Sequence, residues 1–350
     1  MQDEKFQQIQ LTTFNYPILG AKGAATAVSS NIDLKDFSQN GVLSRLYIRV
    51  HGPIIIGGAP GAGTPTGNDN PEGLLIQATM TSTPNQGYDP IDKLDARSFR
   101  LMSKYERGYD IKAPVVADVI GTVPVDWQYQ INFIQPLAVK PAEFCLPMQL
   151  FTNLLLKLKW GGREQLFTGG TQTWDLSGLV VELWAEMYLG IAGVFHGTCF
   201  SLIEFPQLTG SQSNLQLQGI PAGYVYDLLM LRTERDNALV NDILTNWLIQ
   251  SSGRQWTQPG QANASMLQRM IRDTNLSDPA VDQTGEYVIN ALKDGMISNT
   301  IDSLDAQLDM RIDEVFGAGS QFVKLLSKRS IPNSLQLQGV VAAGAVAPTS

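Results

Sequence analysis

The chain has 350 residues, of which 43% are hydrophobic and 17% are charged, and its formal net charge is −8. A chain of this length exceeds the size at which one hydrophobic core usually keeps growing, so two domains are expected. The charged share lies below the usual ~25% of globular proteins, which indicates extensive buried or partner-covered surface. The acidic balance and the lack of a long basic run argue against direct contact with nucleic acid, because such contacts depend on Lys and Arg.

The sequence lacks the patterns of export and of membrane insertion. Residues 1–6 show no basic region followed by an apolar core, and no stretch approaches the ~18 uninterrupted apolar residues of a membrane span. The two cysteines, Cys145 and Cys199, are too few for a disulfide framework and lack the short spacing of a metal or redox motif. We therefore expect a protein made and assembled in a cytoplasm, with both thiols buried and reduced.

Two strand-like runs, each introduced by a glycine, divide the chain. The first follows Gly41 and the second follows Gly223. The segment before Gly41 is rich in Thr, Asn, Gly, Ala and Ser without a sustained period, which predicts an extended arm. The duplication predicts an arm at 1–40, a first module at 41–195, a linker at 196–222, a second module at 223–330 and a tail at 331–350.

Alternation of apolar and polar residues is clearest in three segments, at 154–160, 179–189 and 304–313. Such alternation is typical of a strand with one face in a core. In the third segment, Leu308 is predicted to face the core and Asp309 the opposite side. Further strands are predicted at 127–134, 285–292 and 321–326.

Helical patterns are few, at 91–106, 238–250 and 264–272. Short strands divided by turns, without regular alternation of strand and helix, favour antiparallel sandwiches over a parallel sheet. The predicted fold is therefore all-β, with two tandem sandwiches and a few short helices in the connections.

The only histidines, His51 and His196, are each followed by glycine at the end of a strand-like run or just beyond it. A metal site built on two histidines needs a third ligand such as a carboxylate. Because the two histidines fall in the first module and in the linker, we interpret them as loop or interface residues.

Other chemical patterns are equally weak. Asp305, Asp309 and Asp313 share one strand face, but residues four apart on a strand are too distant to ligate one ion. We therefore favour a charged face that points to solvent or to a neighbouring subunit. Binding of an ion between subunits stays open as an alternative. The glycine-rich stretch 57–73 lacks the Gly-Lys-Ser/Thr ending of a phosphate-binding loop. No Gly-x-Ser-x-Gly motif occurs.

Aromatic residues at Trp174, Trp184 and Tyr188 suggest a carbohydrate platform, but large aromatics in an alternating strand more often fill a core or an interface. We therefore expect no catalytic residue, no cofactor-binding residue, no metal-binding residue and no enzymatic activity.

In organisation, the glycine-led segments 41–48 and 221–228, each preceded by an arm, resemble the two modules of the double jelly-roll major capsid proteins. These proteins belong to tailless icosahedral viruses with an internal lipid membrane, of the tectivirus, corticovirus and finnlakevirus kinds. The resemblance covers about residues 15–330 of the chain.

The resemblance implies that each module is an eight-stranded jelly roll standing upright in a viral shell, and that three chains form a pseudo-hexagonal capsomer. It further implies neighbouring capsomers, a penton protein and minor capsid or membrane proteins as partners, with the chain termini toward the internal membrane. The implied location is the virion, assembled in the host cytoplasm. The long loops at 52–73 and 250–262 are then tower or intercapsomer segments.

Two other functions fit a tandem sandwich. A binding module, such as a host-attachment spike or a carbohydrate-binding protein, predicts an exposed aromatic cluster and oligomers that do not tile a shell. An enzyme predicts a metal or a convergent set of titratable groups, and the scarcity of histidine argues against it. The state of assembly separates the binding module from the capsid protein.

Overall fold

A computed structural model describes the chain as an almost entirely β protein, as the strand-like runs predict. The described residues are 5–17, 28–34, 41–67, 70–83, 89–108, 110–134, 145–151, 153–191, 197–251, 254–255, 264, 268, 282–290, 301–302 and 308–330. The predicted tail at 331–350 lies outside them.

The first module is a sandwich of two sheets with four main strands in each. Its strands are β1 (Lys5–Asn15), β2 (Val28–Asp33), β3 (Gly41–Gly57), β4 (Leu75–Thr83), β5 (Ile91–Leu94), β6 (Gly121–Asn132), β7 (Asn153–Trp160) and β8 (Val180–Leu189). One sheet has the order β1-β8-β3-β6 and the other β2-β7-β4-β5, with antiparallel neighbours in both. Connections that pass from one sheet to the other make this a jelly roll.

The second module repeats the same topology. Its strands are β9 (Cys199–Glu204), β10 (Gln212–Leu217), β11 (Val225–Arg235), β12 (Leu244–Ser251), β13 (Arg254–Gln255), β14 (Glu286–Asn290), β15 (Asp309–Glu314) and β16 (Gln321–Ser330). The sheet orders are β9-β16-β11-β14 and β10-β15-β12-β13, again antiparallel. Adding eight to each strand number of the first module reproduces both orders, so the chain is a tandem pair of equivalent eight-stranded jelly rolls.

Helix α1 (Ala96–Arg107) lies in the connection between β5 and β6. The Asp95 carboxylate accepts a hydrogen bond from Ser98 N at 2.8 Å at its start, and Gly108 ends it with a left-handed φ of 84°. Within the described ranges, no helix is long and apolar enough to cross a bilayer. The remaining elements in the described part of the chain are short. They are 3₁₀ turns at Glu72–Leu74, Met148–Leu150 and Arg163–Gln165 and strands at Thr64–Pro65, Leu146–Pro147, Phe167–Thr168, Thr173–Asp175, Ala238–Leu239 and Ile301–Asp302.

Side-chain burial follows the predicted alternation. In β7 the apolar residues at the even positions are buried, whereas Lys157 and Lys159 are exposed. In β15, Met310 and Ile312 are buried and Asp309 is half-buried. Two apolar cores result. One fills the first sandwich and continues into the interface between the modules, and the other lies inside the second sandwich. Each fully buried aliphatic side chain adds about 1.5–3 kcal/mol of stability.

The predicted module boundaries omit the first two strands of each jelly roll. Segment 1–40, predicted as an extended arm, carries β1 and β2, which pair with β8 and β7. Segment 196–222, predicted as a linker, carries β9 and β10, which pair with β16 and β15. The runs after Gly41 and Gly223 are equivalent, but they are the third strands of their modules. Three of these missed strands, β1, β2 and β10, lie at sheet edges. One flank of an edge strand faces solvent, so the strand needs few apolar residues and its sequence looks irregular.

The helical predictions hold only in part. Segment 91–106 begins as strand β5 and becomes helical at Ala96. Segment 238–250 is a strand region instead, because Trp247 and Ile249 of β12 pack in the second core and β12 pairs with β15. Tertiary packing of this kind overrides a local helical pattern. Segment 264–272 lies largely outside the described residues.

The two modules share one continuous sheet. Strand β5 of the first module lies parallel to β9 of the second, with Ile91 opposite Phe200 and Asp92 opposite Ser201. Phe200 N donates to Pro90 O at 3.0 Å across this junction. The sheet therefore runs β2-β7-β4-β5-β9-β16-β11-β14 through both jelly rolls.

Candidate assembly surfaces

The outer face of the sheet β9-β16-β11-β14 is buried against the first module. Leu228, Met230 and Leu326 from this face join the first core, whereas Leu229 and Leu231 of β11 point into the second core. An uninterrupted apolar run is the sequence signal of a strand buried on both faces. The run 228–231 carries that signal, although sequence reasoning did not use it to place the module interface.

Helix α1 is attached to this face by a buried network of charges. Arg97 Nη1 lies 2.5 Å from Glu234 Oε1, and Arg232 Nη2 lies 2.5 Å from Asp95 Oδ2. Glu234 also contacts Arg232 Nε at 2.8 Å and Lys324 Nζ at 2.9 Å. The start of α1 in the first module and two strands of the second are therefore joined by complementary charges that lie largely away from water.

The network shifts the pKa values of its carboxyls. Burial by itself raises the pKa of Asp95, but the Arg232 guanidinium outweighs burial and holds that pKa well below its usual value. The pKa of Glu234 is likewise lowered, because Arg232 and Arg97 outweigh its burial. Carboxyls with depressed pKa values stabilise the fold above the unfolded pKa of about 4, and this contribution is lost as the pH falls through the folded pKa.

A second set of contacts fixes the other end of α1. Lys104 Nζ lies 2.6 Å from Glu286 Oε2, and the Tyr105 hydroxyl donates to the same oxygen at 2.8 Å. Lys328 Nζ of β16 lies 2.8 Å from Glu106 Oε1. These contacts lie near the end of α1 opposite to Asp95, so both ends of the helix are attached to the second module.

The equivalent outer face of the first module, on sheet β1-β8-β3-β6, is also charged but more open. Arg45 Nη1 lies 2.9 Å from Glu186 Oε2, and Arg49 bridges Asp126 at 2.7 Å and Glu182 at 3.2 Å. The side chains of Arg49 and Asp126 remain 39% and 57% exposed. This surface, which we call the first outer face, carries ion pairs like the buried face of the second module, but its charged side chains are more exposed.

A shallow depression of about 420 Å³ lies on the first outer face. It is lined by Gln8, Tyr47, Arg49, Gln128, Trp184 and Ala185. Half-exposed aromatic and arginine side chains are the residues enriched at protein interfaces. The depression therefore has the character of a contact surface.

The segment between α1 and β6 forms an exposed apolar ridge. Asp118 holds it in place through an ion pair with Arg163 at 2.5 Å and a hydrogen bond from Trp174 Nε1 at 2.8 Å. The exposed residues of the ridge are Ile111 (63%), Val115 (74%), Val119 (61%) and Ile120 (51%). Several large apolar residues exposed on one anchored segment are typical of a protein interaction site.

The sequence-selected histidine and aspartates do not form a shared site. His51 is half-buried in β3, and its Nε2 lies 3.4 Å from Glu182 Oε1. The Asp309 carboxylate contacts Arg311 Nη2 at 2.8 Å, and Asp313 Oδ2 accepts from Asn246 Nδ2 at 2.7 Å. Among the residues that the structure describes, no three His, Cys, Asp or Glu side chains are grouped to hold a metal. His196 and Asp305 lie outside those residues.

The aromatic residues and cysteines occupy different environments. Trp174 is buried at 1% exposure, whereas Trp184 is half-buried on the first outer face. Cys145 and Cys199 are buried and are not joined by a disulfide, as predicted. Burial raises the pKa of Cys145 to about 12 and that of Cys199 to about 11, so both thiols stay protonated.

Comparison with known proteins finds matches in structure but none in sequence. No protein-family model and no curated protein sequence matches the chain. A solved structure of Sulfolobus turreted icosahedral virus matches with a TM-score of 0.66 and 13% identity, covering 97% of this chain and 95% of that chain. The major capsid protein P2 of bacteriophage PM2 matches with a TM-score of 0.59 and 12% identity, covering 94% and 98%. The PBCV-1 virus capsid matches with a TM-score of 0.55 and 14% identity, covering 95% and 96%.

The chain has the double jelly-roll fold of viral major capsid proteins. The match extends over nearly the whole length of both chains, so the double jelly roll accounts for both modules and for their junction. Identities of 12–14% establish the fold alone. The fold agrees with the resemblance carried by the two glycine-led runs.

One buried carboxyl group of the double jelly roll, that of Glu314, has no hydrogen-bond partner among the described residues. Glu314, at the end of β15, is 4% exposed, and neither carboxylate oxygen has a hydrogen-bond partner among the described residues. Burial raises the pKa of Glu314 to about 7. The folded state therefore favours the neutral form of this side chain.

Replacement Glu314→Gln is expected to raise the free energy of unfolding by about 1–3 kcal/mol near pH 8 and to leave it unchanged near pH 4. The folded pKa of about 7 exceeds the unfolded value, so the stabilisation by the neutral acid is complete at low pH and is lost as the pH rises through 7. Glutamine stays neutral at both pH values. Urea unfolding at each pH measures the difference, and an equal gain at both would contradict a titrating Glu314.

Proposed function

We propose that this chain is the major capsid protein of a tailless icosahedral virus with an internal membrane, and that three chains form a capsomer of pseudo-hexagonal outline. The observation that carries the proposal is the pair of equivalent jelly rolls in one chain, joined through a continuous sheet. Three such chains supply six similar blocks, which is the number that a hexagonal tile requires. The viral capsid proteins with the same fold support this assignment.

The physical chemistry of the chain suits a building block. The buried contacts of α1 with Glu234 and Glu286 hold the two modules in one orientation, so each copy presents the same flanks to its neighbours. Identical contacts repeated over a shell add by multivalency, and each can be individually modest. The first outer face and the apolar ridge offer such contacts, and the proposed role is structural rather than enzymatic.

The proposed partners are other copies of this chain, neighbouring capsomers, a penton protein and minor capsid or membrane proteins. The internal lipid membrane is proposed to lie near the chain termini, and the virion is the proposed location after assembly in the host cytoplasm. The net charge of −8 supports the absence of direct contact with nucleic acid.

The capsid proposal is tested by the mass and shape of the purified chain. We expect a stable particle with the mass of three chains, and a near-hexagonal outline with six lobes in electron micrographs. A chain that stays monomeric over the concentration range of light scattering and mass photometry would overturn the proposal.

A tandem-sandwich binding module is the second candidate, because Tyr47 and Trp184 are half-buried at the depression on the first outer face. Half-exposed Tyr and Trp side chains combine an apolar ring with a polar tip, so they suit a ligand surface as well as a protein interface. A glycan array on the same preparation separates the two functions. Sugar binding by a monomer favours the binding module, whereas a trimer without sugar binding favours the capsid protein.

A further inference from the structure

A five-residue sequence occurs twice in the chain, once at β10 and once in the tail. Residues 215–219 and 335–339 both read Leu-Gln-Leu-Gln-Gly. In the first copy, Leu217 is buried at 3% exposure and Gln216 is exposed on the other side of β10. The second copy alternates leucine and glutamine in the same way, so it has the pattern of a strand with one apolar face.

The outer edge of β10 is suited to accept a further strand. Among the described residues, β15 is the only strand that pairs with β10. Strand β10 carries no charge and no proline, which are the usual protections of an edge strand. Leu215 packs against the second core but is only half-buried. A strand added at this edge covers Leu215 and pairs with the backbone groups that point away from β15.

A cavity of about 270 Å³ lies at the end of β10. Gly219 follows that end with a left-handed φ of 81°, a conformation that favours glycine. Most of the residues that line the cavity belong to the repeated sequence, and the full set is Gln216, Leu217, Gln218, Gly219, Leu308 and Asp309. The first copy of the repeat therefore borders open space.

The tail leaves the second jelly roll at the same end. Leu208, shortly before β10, forms a bridge with Gln321 at the start of β16, so both strands start at one end of the sandwich. Both then run to the end at which β15 begins. Strand β16 ends at Ser330, and residues 331–334 separate it from the second copy of the repeat. A segment that turns back from this end along β10 runs antiparallel to β10.

The second copy is within reach of the β10 edge. The five Cα steps from residue 330 to residue 335 span at most about 17 Å. Stacked sheets lie about 10 Å apart, and two strand spacings cover a similar lateral distance, so a straight path to the edge takes about 14 Å. Residues 331–350 carry no charged side chain, so no charge has to be removed from water when the tail docks.

We propose that residues 335–339 add to the outer edge of β10 of the same chain as an antiparallel strand. In the proposed register, Leu335 lies opposite Leu217, residue 336 opposite Gln216, and residue 337 opposite Leu215. This register places the leucines on the core side and the glutamines on the outer side. Main-chain hydrogen bonds hold the added strand, and the alternating side chains set its register. The contact forms within one chain, so it does not depend on the proposed capsid function.

Disulfide formation in the full chain tests the register. The pair Gln216→Cys and Gln336→Cys places two thiols directly opposite each other, where the Cα separation of about 4.5–5.5 Å suits a disulfide. The control pair Gln216→Cys and Gln338→Cys lies on the same side but about 7 Å further along the tail, beyond the reach of a disulfide. Cys145 and Cys199 are buried, so the unmodified chain gives the background. We expect loss of both introduced thiols without dimer formation in the first pair, and free thiols in the control pair.

Hydrogen exchange supplies a second measurement without cysteines. The full chain is compared with a chain that ends at Gly339 and with a chain that ends at Ser330. We expect the outward-pointing amides of residues 215–217 to exchange about tenfold faster or more in the chain that ends at Ser330 than in the other two. The chain that ends at Gly339 is the matched control, because it keeps the repeated segment. Unchanged exchange in the central strand β11 shows that each variant is folded.

Three results would overturn the proposal. Equal exchange at residues 215–217 in all three chains would mean that the tail does not cover β10. Equal disulfide formation in the two cysteine pairs would mean that the tail has no fixed register. Disulfide-linked dimers in place of the intrachain product would place the tail on a neighbouring copy. Each of these results leaves the capsid proposal to its own test, which measures the mass and outline of the unmodified chain.

Discussion

Replacement Glu234→Gln is expected to lower the free energy of unfolding by about 3–5 kcal/mol, because it leaves buried cations without a counter-charge. Glu234 is 2% exposed and contacts Arg97, Arg232 and Lys324. Glutamine has nearly the same size, so the change removes charge with little loss of packing. Urea unfolding followed by tryptophan fluorescence measures the effect.

The matched control is Glu204→Gln. Glu204 contacts the same Lys324 at 3.2 Å, but its side chain is 41% exposed. An ion pair that water can screen contributes little, so the expected change is below about 1 kcal/mol. Equal effects of the two replacements would show that the network at α1 does not hold the modules together.

Replacement Leu308→Asp is expected to prevent folding of the second jelly roll. Leu308 is 2% exposed within the second core. The change removes a buried aliphatic side chain, which typically costs about 2–5 kcal/mol, and adds the larger cost of a carboxylate in an apolar site. Limited proteolysis should then cleave residues of the second module while the purified wild-type chain resists.

The neighbouring change Asp309→Ala serves as its control. The Asp309 side chain is 22% exposed and contacts Arg311 and Gln250 on the outer side of β15. Loss of these contacts should alter the free energy of unfolding by about 1 kcal/mol or less, and the protease pattern should stay that of the wild type. Similar behaviour of the two variants would mean that the faces of β15 are assigned in reverse.

Both replacements with large expected effects, Glu234→Gln and Leu308→Asp, are also expected to impair assembly. The Glu234 network sets the orientation of the two modules, and Leu308 keeps the second module folded. A variant that loses either should no longer present two equivalent blocks, so the proposed trimer should be lost along with stability. The exposed controls at Glu204 and Asp309 should leave the proposed trimer unchanged.

Alternating strands were predictable because a face packed against a core requires an apolar residue at every second position. The even positions of β7 and the burial of Met310 and Ile312 in β15 follow this rule. Edge strands β1 and β2 were missed as strands because they contribute few apolar residues. The helix predicted at 238–250 was wrong because the contacts of Trp247 in the core decide its conformation.

The candidate surfaces were less predictable. Arg232 and Glu234 stand at the end of an apolar run, and nothing local shows that Asp95 and Arg97 of α1 lie against them. The exposed ridge near Val115 could not be predicted from the sequence either, because its exposure depends on how the ion pair of Asp118 with Arg163 anchors the segment.

By itself, the amino-acid order determined an all-β chain with an internal duplication, since strand periodicity and the glycine-led runs are local properties. Only the tertiary structure decided where each jelly roll begins, which charges join α1 to β11, and which sheet edges stay open. Those features arise from contacts between residues more than 100 positions apart, such as Arg97 with Glu234, whose pairing depends on the path of the whole chain rather than on any single segment.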